Sequence, residues 1–423
     1  MNLLIYAHTL FCPTAAPRFF AGPPHFMSSS NKMTPLELRA SIGLSGIFGL
    51  RLLGMFVILP VFAIYAERLP GGSDLTLVGI AIGAYGLTQA ILQIPFGWWS
   101  DRIGRKPVVY IGLVIFAIGS FIAALAPNIY IVILGRILQG AGAISAAVIA
   151  MTADLTRESQ RAKAMAMIGS TIGASFALSL IASPWLDRVI GVPGIFALTG
   201  VLALAGMVLL WRFIPDAPEA PPAPGRGLKD FWNVLLDPQL ARLNWGIFAL
   251  HAVLMALFIV LPFSLRDAGL PVAEHWKVYL PVMLGSFVLM LPPIMQAGKP
   301  ELLRRWFIIA VALLLAGHLA LPWLSGNLWL LSLFLLVFFV PFNVLEAMLP
   351  TLTTRLAPAH AKGTAIGLYS TIQFFGTFIG AAAGGVLYKY WGAAGVVVLD
   401  AVLLAIWLIL AFGMRVPPIV ART

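Results

Sequence analysis

Apolar stretches of about twenty residues, each long enough to cross the roughly 30 Å hydrocarbon core of a bilayer as a helix, follow one another along nearly the whole chain. Twelve such stretches begin near Ser41, Leu75, Pro107, Tyr130, Ala164, Val192, Leu243, Val278, Arg305, Leu328, Gly363 and Ala393. Short polar turns separate them. Hydrocarbon offers no partner to a free N–H or C=O, so each stretch must bond its backbone internally, and helices are the one solution that apolar runs of this length permit. With 60% apolar residues, 10% charged residues and a mean hydropathy of +0.96, 423 residues carry too little polar surface to coat a soluble globule. The expectation is an all-α membrane protein of twelve transmembrane helices. An even number of crossings puts both termini on one side.

Charge orients the bundle. Arg68, Arg188, Arg266, Lys277 and Lys389 are the cations on the loops after the odd-numbered spans, whereas 20 Lys and Arg lie in the other loops and the tails. The richer side is expected to be cytoplasmic, with both termini there, in a cell inner membrane. The net charge of +11 is scattered between apolar segments rather than gathered on one face, which argues against a nucleic-acid partner. A single cysteine, Cys12, allows no internal disulfide, and the six histidines show no metal spacing. No metal or cofactor is expected. The sequence has no nucleotide-binding loop and no nucleophile motif, so an enzyme is not expected either.

One seam divides the chain. Between Ile214 and Gly227 there are five prolines within ten residues, which cannot continue a helix and should form an extended linker. The next stretch, Leu228 to Leu240, places Leu228, Phe231, Trp232, Leu235 and Leu236 at helical spacing, as in a short amphipathic helix on the membrane surface. The expected division is a tail over 1–34, disordered or preceding a later start at Met27 or Met33, then a six-helix bundle over 35–213. A cytoplasmic linker with the amphipathic helix follows over 214–240, then a second six-helix bundle over 241–416 and a tail over 417–423.

The densest charge in the chain is Gly97-Trp-Trp-Ser-Asp101-Arg102-Ile-Gly104-Arg105-Lys106, with four ionised side chains in six residues. It must be a turn at a membrane face. Its spacing resembles the loop motif of major facilitator superfamily transporters between their second and third spans. Arg136-Ile-Leu-Gln139-Gly140-Ala-Gly142-Ala, in span 4, looks like a second signature of that superfamily. Arg51-Leu-Leu-Gly-Met-Phe, Ala273-Glu-His-Trp-Lys-Val-Tyr279, Phe342-Asn-Val-Leu-Glu346 and Lys362-Gly-Thr-Ala-Ile-Gly-Leu-Tyr-Ser370 resemble the YajR-type branch of its drug/proton antiporters. The likeness runs from about Met33 to Pro417. YajR-type proteins usually carry a cytosolic ferredoxin-like domain after span 12, which is not expected in a sequence ending at Thr423. The branch also usually has a Gly-Pro pair in span 5, where this chain has Gly173-Ala174.

The resemblance implies the major facilitator fold, two six-helix bundles that rock about a central cavity. It also implies a conformational latch at Gly97, Asp101, Arg102, Gly104, Arg105, Lys106 and Asp154. Gly97 should let spans 2 and 3 approach, Gly104 should permit the turn, and Asp101 should face the positive N-terminal end of span 11 in the second bundle. Arg105 should pair with Asp154. The alternative is a topology anchor with no part in switching.

Ionisable groups in mid-membrane cost about 2.5–3.5 kcal/mol each on insertion scales, so each asks for a reason. Arg51, Arg136, His251, Glu346 and Asp400 are the candidates, with His318 beside them. Arginine keeps its charge, so Glu346 is expected to carry the coupling proton, ahead of His251 and Asp400. A static ion pair for Glu346 and a hydrogen-bonded core position for His251 are the competing structural roles. Asn343 and Glu346 should share one side of span 10. Tyr85, Gln89 and Gln93 on span 2, Gln139 beside Arg136, Asn343 on span 10, and Tyr369, Gln373 and Thr377 on span 11 should line the substrate cavity. The ladders Gly169–Gly173 and Gly376, Gly380, Gly384 should serve close helix packing.

The function expected is proton-coupled efflux of small amphipathic organic compounds by alternating access. Uptake or facilitated diffusion of a metabolite is the alternative within transport, and a non-transporting assembly factor or sensor the alternative outside it. The partners would be a small-molecule substrate, protons and the lipid bilayer, with the protein a monomer.

Overall fold

A computed structural model describes residues 32–216, 228–297, 299–324, 326–358 and 361–415. The expected tails over 1–31 and 416–423 and most of the proline-rich linker lie outside the described residues. Among those residues every regular element is helical. Helices α1 (Pro35–Phe56) and α2 (Leu59–Ala66) form span 1, α3 (Leu75–Arg102) span 2 and α4 (Arg105–Ala124) span 3. Helices α5 (Ile129–Ala141) and α6 (Ser145–Asp154) form span 4. Helix α7 (Glu158–Phe213) has 56 residues, about 84 Å at 1.5 Å per residue, nearly three times the hydrocarbon thickness. It cannot be one crossing. Gly191, at φ +67°, folds it into two arms that form spans 5 and 6.

The second half repeats the plan. After α8 (Leu228–Leu236) come α9 (Pro238–Asp267) as span 7, and α10 (Trp276–Leu289) with α11 (Leu291–Gln296) as span 8. Then follow α12 (Pro300–Leu324) as span 9, α13 (Leu328–Leu356) as span 10, and α14 (Lys362–Phe412), whose two arms meet at Gly392 and form spans 11 and 12. Twelve crossings result, in two bundles of six. One face carries the Asp101 loop, α8 and the ends of spans 6 and 12. It is called the linker face below.

Several helices begin before the apolar runs that signal them, because polar side chains cap them outside the hydrocarbon. Span 1 starts at Pro35 rather than Ser41. Thr34 accepts from the Glu37 amide, and Glu37 answers to the Thr34 amide, so two otherwise unpaired donors are satisfied reciprocally. Asp74, Asn128, Asp237 and Asn327 cap α3, α5, α9 and α13 singly, each accepting from first-turn amides without a reciprocal bond. Helix α8 lays Phe231, Val234 and Leu235 on Leu240, Ala357, Ala361, Ala365 and Leu368, so these apolar residues are taken up by the second bundle.

Candidate functional site

At the linker face Gly104 has φ +94° as the first α4 residue follows it, a backbone that a side chain would strain. The reversal brings Arg105 back over the end of α3, where it bonds the Asp101 carboxylate and Ser100 Oγ, the latter at 2.8 Å. Its Nε lies 3.0 Å from Asp154 Oδ2 at the end of α6. Lys106 donates to Ile214 O at 2.9 Å and pairs with Asp216 at 3.0 Å, and Arg102 stacks on the Trp98 ring. These contacts tie spans 2, 3, 4 and 6 together, all within the first bundle. Two expectations change. Asp101 faces Arg105 rather than the start of span 11, and Gly97 admits Ala146 of α6, 3.3 Å from where a Cβ would stand, rather than span 3. Arg157 adds a further tie, binding Glu37 at 2.8 Å, and this carboxylate raises the guanidinium above its ordinary range.

The bundles meet at the opposite face. Both ion pairs identified between them are there, Arg266–Glu67 at 2.9 Å and Lys389–Asp74 at 2.9 Å. The Lys389 hydrogen bond holds the Asp74 carboxyl below the usual carboxylate range. Backbone packs directly on backbone between α3 and α14. A Cβ on Gly79 would stand 2.3 Å from Ala381 O, one on Gly86 2.7 Å from Phe374 O, and one on Gly385 2.3 Å from Leu75 O. Deeper in, the Phe176 ring of α7 sits among Phe258 of α9 and Phe339 and Phe342 of α13, with centroids 5.8–6.4 Å away. Beyond Gly86 toward the linker face, Ile91 and Ile94 of α3 are exposed.

The polar interior of the first bundle is built on fixed cations. Arg51 donates to Ser145 Oγ at 2.8 Å and to the Gln89 carbonyl, and Gln89 bonds Gln93 at 3.1 Å. Arg136 reaches Ala81 O, Ile82 O and Gln139 Oε1, and Gln139 bonds Ser120 of α4. The Tyr85 ring lies between the two guanidinium groups, 5.6 and 4.9 Å from them. Tyr85, Gln89 and Gln139 are 0% exposed and Gln93 4%. The four residues expected to line the cavity between the bundles, and Arg136 with them, are turned into the first bundle. Neutral acceptors and an aromatic face hold these cations, for which no carboxylate partner is found among the described residues, and Arg51 Nε is left without a hydrogen bond.

The second bundle gathers titratable groups instead. His251 of α9 places Nδ1 at 3.3 Å from Ile247 O and Nε2 at 2.8 Å from Gln373 Nε2 of α14, so Nδ1 carries the hydrogen and Nε2 accepts from the amide. Glu346 Oε2 of α13 stands 4.0 Å from the same Nε2, with no hydrogen-bond partner of its own. Tyr369, whose hydroxyl is also unpartnered, lies within electrostatic reach of Glu346. Residues from spans 7, 10 and 11 thus converge. Asn343 does not join them, because its Nδ2 turns to Ser286 of α10 at 2.9 Å. Asp400 does not either, being paired with His318 at 3.5 Å between spans 9 and 12.

Glycine roles also divide. Gly376, Gly380 and Gly384 press on the α9 backbone, the tightest being Gly380, whose Cβ would stand 2.0 Å from Ala252 O. Gly169 and Gly173 have nothing within 4 Å of a Cβ and serve no close packing here. In contrast, Gly140 and Gly142 of the second signature would meet Tyr85 O and Gly112 O at 2.2 and 2.3 Å. Sequence reasoning missed Gly79, Gly83 and Gly86, although their spacing along span 2 was legible. It missed the Glu67–Arg266 and Asp74–Lys389 pairs, for which local sequence carries no signal.

Two six-helix bundles, sealed against each other at one face and holding ionisable groups in mid-membrane, define a multi-pass membrane transporter rather than an enzyme. A family model described as Major Facilitator Superfamily matches residues 44–381 and, in a second match, 301–422. The chain belongs to the major facilitator superfamily. It is 45% identical over 392 residues to the inner membrane transport protein YajR of Escherichia coli K12, covering 92% of this chain and 86% of that one. It is 25% identical over 349 residues to the quinolone resistance protein NorA of Staphylococcus aureus MSSA476, covering 79% and 86%. Among solved structures, an inward-facing, occupied bacterial homolog of the human lysosomal transporter Spinster superposes with a TM-score of 0.73 at 15% identity, over 90% of this chain and 97% of that one. The human organic anion transporter MFSD10 gives 0.68 at 18% identity, over 89% and 100%.

Proposed function

We propose that the protein exchanges protons for small amphipathic organic compounds across a cell inner membrane, exporting them, and that Glu346 with His251 carries the proton. One observation supports this reading most. Glu346 Oε2 lies 4.0 Å from His251 Nε2 in mid-membrane and has no other partner. A proton arriving on Nε2 would displace the Gln373 amide and make Glu346 an ion-pair partner; a proton on Glu346 would leave both groups neutral. Either way the cluster's contacts between spans 7, 10 and 11 depend on occupancy, as a coupled carrier requires.

The excess of Lys and Arg on the linker face supports a cytoplasmic location for it and for both termini. With the opposite face sealed, this conformation is the cytoplasm-open one. The Asp101–Arg105–Asp154 group, with Gly97, Arg102, Gly104 and Lys106, acts as the latch. Its acid Asp101, paired with Arg105 here, exchanges that partner for the second bundle when the linker face closes. Efflux rather than uptake rests on the likeness to NorA, a quinolone resistance protein.

Flux of a fluorescent amphipathic cation in proteoliposomes, with imposed pH gradients of both signs, tests the reading. Substrate moving against the proton gradient in the wild type, with the gradient response lost in Glu346→Gln, is the expected result. Substrate moving with protons makes the protein a symporter, and indifference to the gradient makes it a facilitator.

A further inference from the structure

A second pair of titratable side chains is closed off behind span 10. His318 of α12 and Asp400 in the second arm of α14 have side chains 1% and 2% exposed, with Nε2 and Oδ2 3.5 Å apart. His318 Nδ1 lies 2.8 Å from Leu314 O, one turn back on its own helix, so the hydrogen on that nitrogen is committed. Nε2 then has only Asp400 before it and makes no hydrogen bond, and Asp400 Oδ1 likewise has none. Phe334 and Phe338 of α13 pack on the imidazole in T-shaped geometry, with ring centroids 5.7 and 5.5 Å away. Among the described residues His318 is the one ion-pair partner identified for Asp400.

The other charged or titratable groups on the helices packed here are Glu301, Arg304 and Arg305 of α12, Glu346 and Arg355 of α13, and, on α9, which packs on Val396 and Trp407, Arg242, Arg266 and Asp267 near its ends and His251, which faces Gln373. The first three and Arg355 belong to the linker-face ends. Glu346 lies about two turns from Phe338 and is committed to His251. The second arm of α14 has no ionisable side chain besides Asp400.

Hydrogen inventory then fixes what the pair can be. A single further hydrogen between Nε2 and Oδ2 makes the pair neutral overall, whichever atom holds it. Without that hydrogen a carboxylate only 2% exposed stands opposite a neutral imidazole, which carries a large desolvation penalty. We propose that His318 and Asp400 form a closed proton-binding site that holds one proton throughout the transport cycle and clasps span 9 to span 12, separate from the site that couples transport. The bound hydrogen bridges two helices that otherwise touch through Phe307 and Trp407 and through Arg304 and Phe412 O.

Asp400→Asn separates this role from a transported proton. Its amide presents N–H to Nε2 and carries no charge, so it reproduces the protonated carboxyl. Infrared spectra of the full chain in nanodiscs should contain a protonated-carboxyl band, or an imidazolium signature shared with it, that is lost in Asp400→Asn. That signal should survive Glu346→Gln, and bath pH between about 6 and 8 should not move it. Asp400→Asn should keep wild-type gradient-driven flux, whereas His318→Leu, which orphans the carboxyl, should lower the melting temperature. Spectra unchanged by Asp400→Asn would overturn the proposal. So would loss of gradient coupling in that variant, or a signal that shifts when substrate is added.

Discussion

The two bundles share a fold but handle buried charge in opposite ways. In the first, Arg51 and Arg136 are held by carbonyls, amides, a hydroxyl and the Tyr85 face, and no carboxylate answers them. In the second, Glu346 and Asp400 each stand opposite a histidine. A guanidinium cannot change charge in the accessible pH range, so the first bundle's polar core is a fixed scaffold. A carboxyl beside an imidazole can gain or lose a proton, and in the function proposed above the responsive one is Glu346 of the second bundle. On the proposed function, the proton chemistry falls in one half and a fixed scaffold in the other.

Glu346→Gln should break that contrast most severely. It should reduce gradient-driven flux to background while leaving the folded fraction unchanged, as read by size-exclusion profile and proteoliposome assay. Gly380→Val tests whether the responsive bundle needs backbone contact between spans 7 and 11. Its Cβ would stand 2.0 Å from Ala252 O, so overpacking should cost about 1–3 kcal/mol or more, measurable as a lower melting temperature in detergent. Gln89→Leu probes the scaffold by leaving one Arg51 nitrogen without its acceptor. A loss of about 1–3 kcal/mol is expected, with the pH response of the remaining flux unchanged. An altered pH response would show that the first bundle takes part in coupling.

The smallest effect belongs to the seal between the bundles. Removing Glu67 deletes a half-exposed ion pair with Arg266, worth about 0.2–1 kcal/mol. Cysteine accessibility at the opposite face should therefore rise by no more than about fivefold. The neighbouring Asp74–Lys389 pair should not act as a pH switch. Lys389 lowers the Asp74 carboxyl, so the pair's contribution is fully present above the ordinary carboxylate range of about 4 and is lost only as pH falls through the depressed value. Accessibility that changes between about pH 6 and 8 in the Glu346→Gln variant would contradict this.

Much of the architecture was legible because hydropathy is a property of contiguous residues. The twelve crossings, the turn at Gly104 and the pairing of Arg105 with Asp154 all rest on local runs or on motif spacing. Helix starts were read late wherever a polar cap, such as Thr34 with Glu37, extends the helix past its apolar run. Side-chain direction was less legible. Tyr85, Gln89 and Gln93 do repeat at helical spacing, but periodicity gives a shared face without naming the neighbour that face meets, and the neighbours proved to be Arg51 and Ser145. Asn343 and Glu346 lie one turn apart yet bond different helices.

Sequence by itself determined that this chain lives in a bilayer, crosses it twelve times and bends at the Asp101 loop, since hydrocarbon excludes charge and unpaired backbone wherever they occur. Tertiary structure alone decided that His251 meets Glu346 and Gln373, that His318 meets Asp400, and that Glu67 and Asp74 join Arg266 and Lys389. Those partners lie between 82 and 315 positions apart. Their meeting depends on how whole helices tilt and pack, which no local pattern encodes.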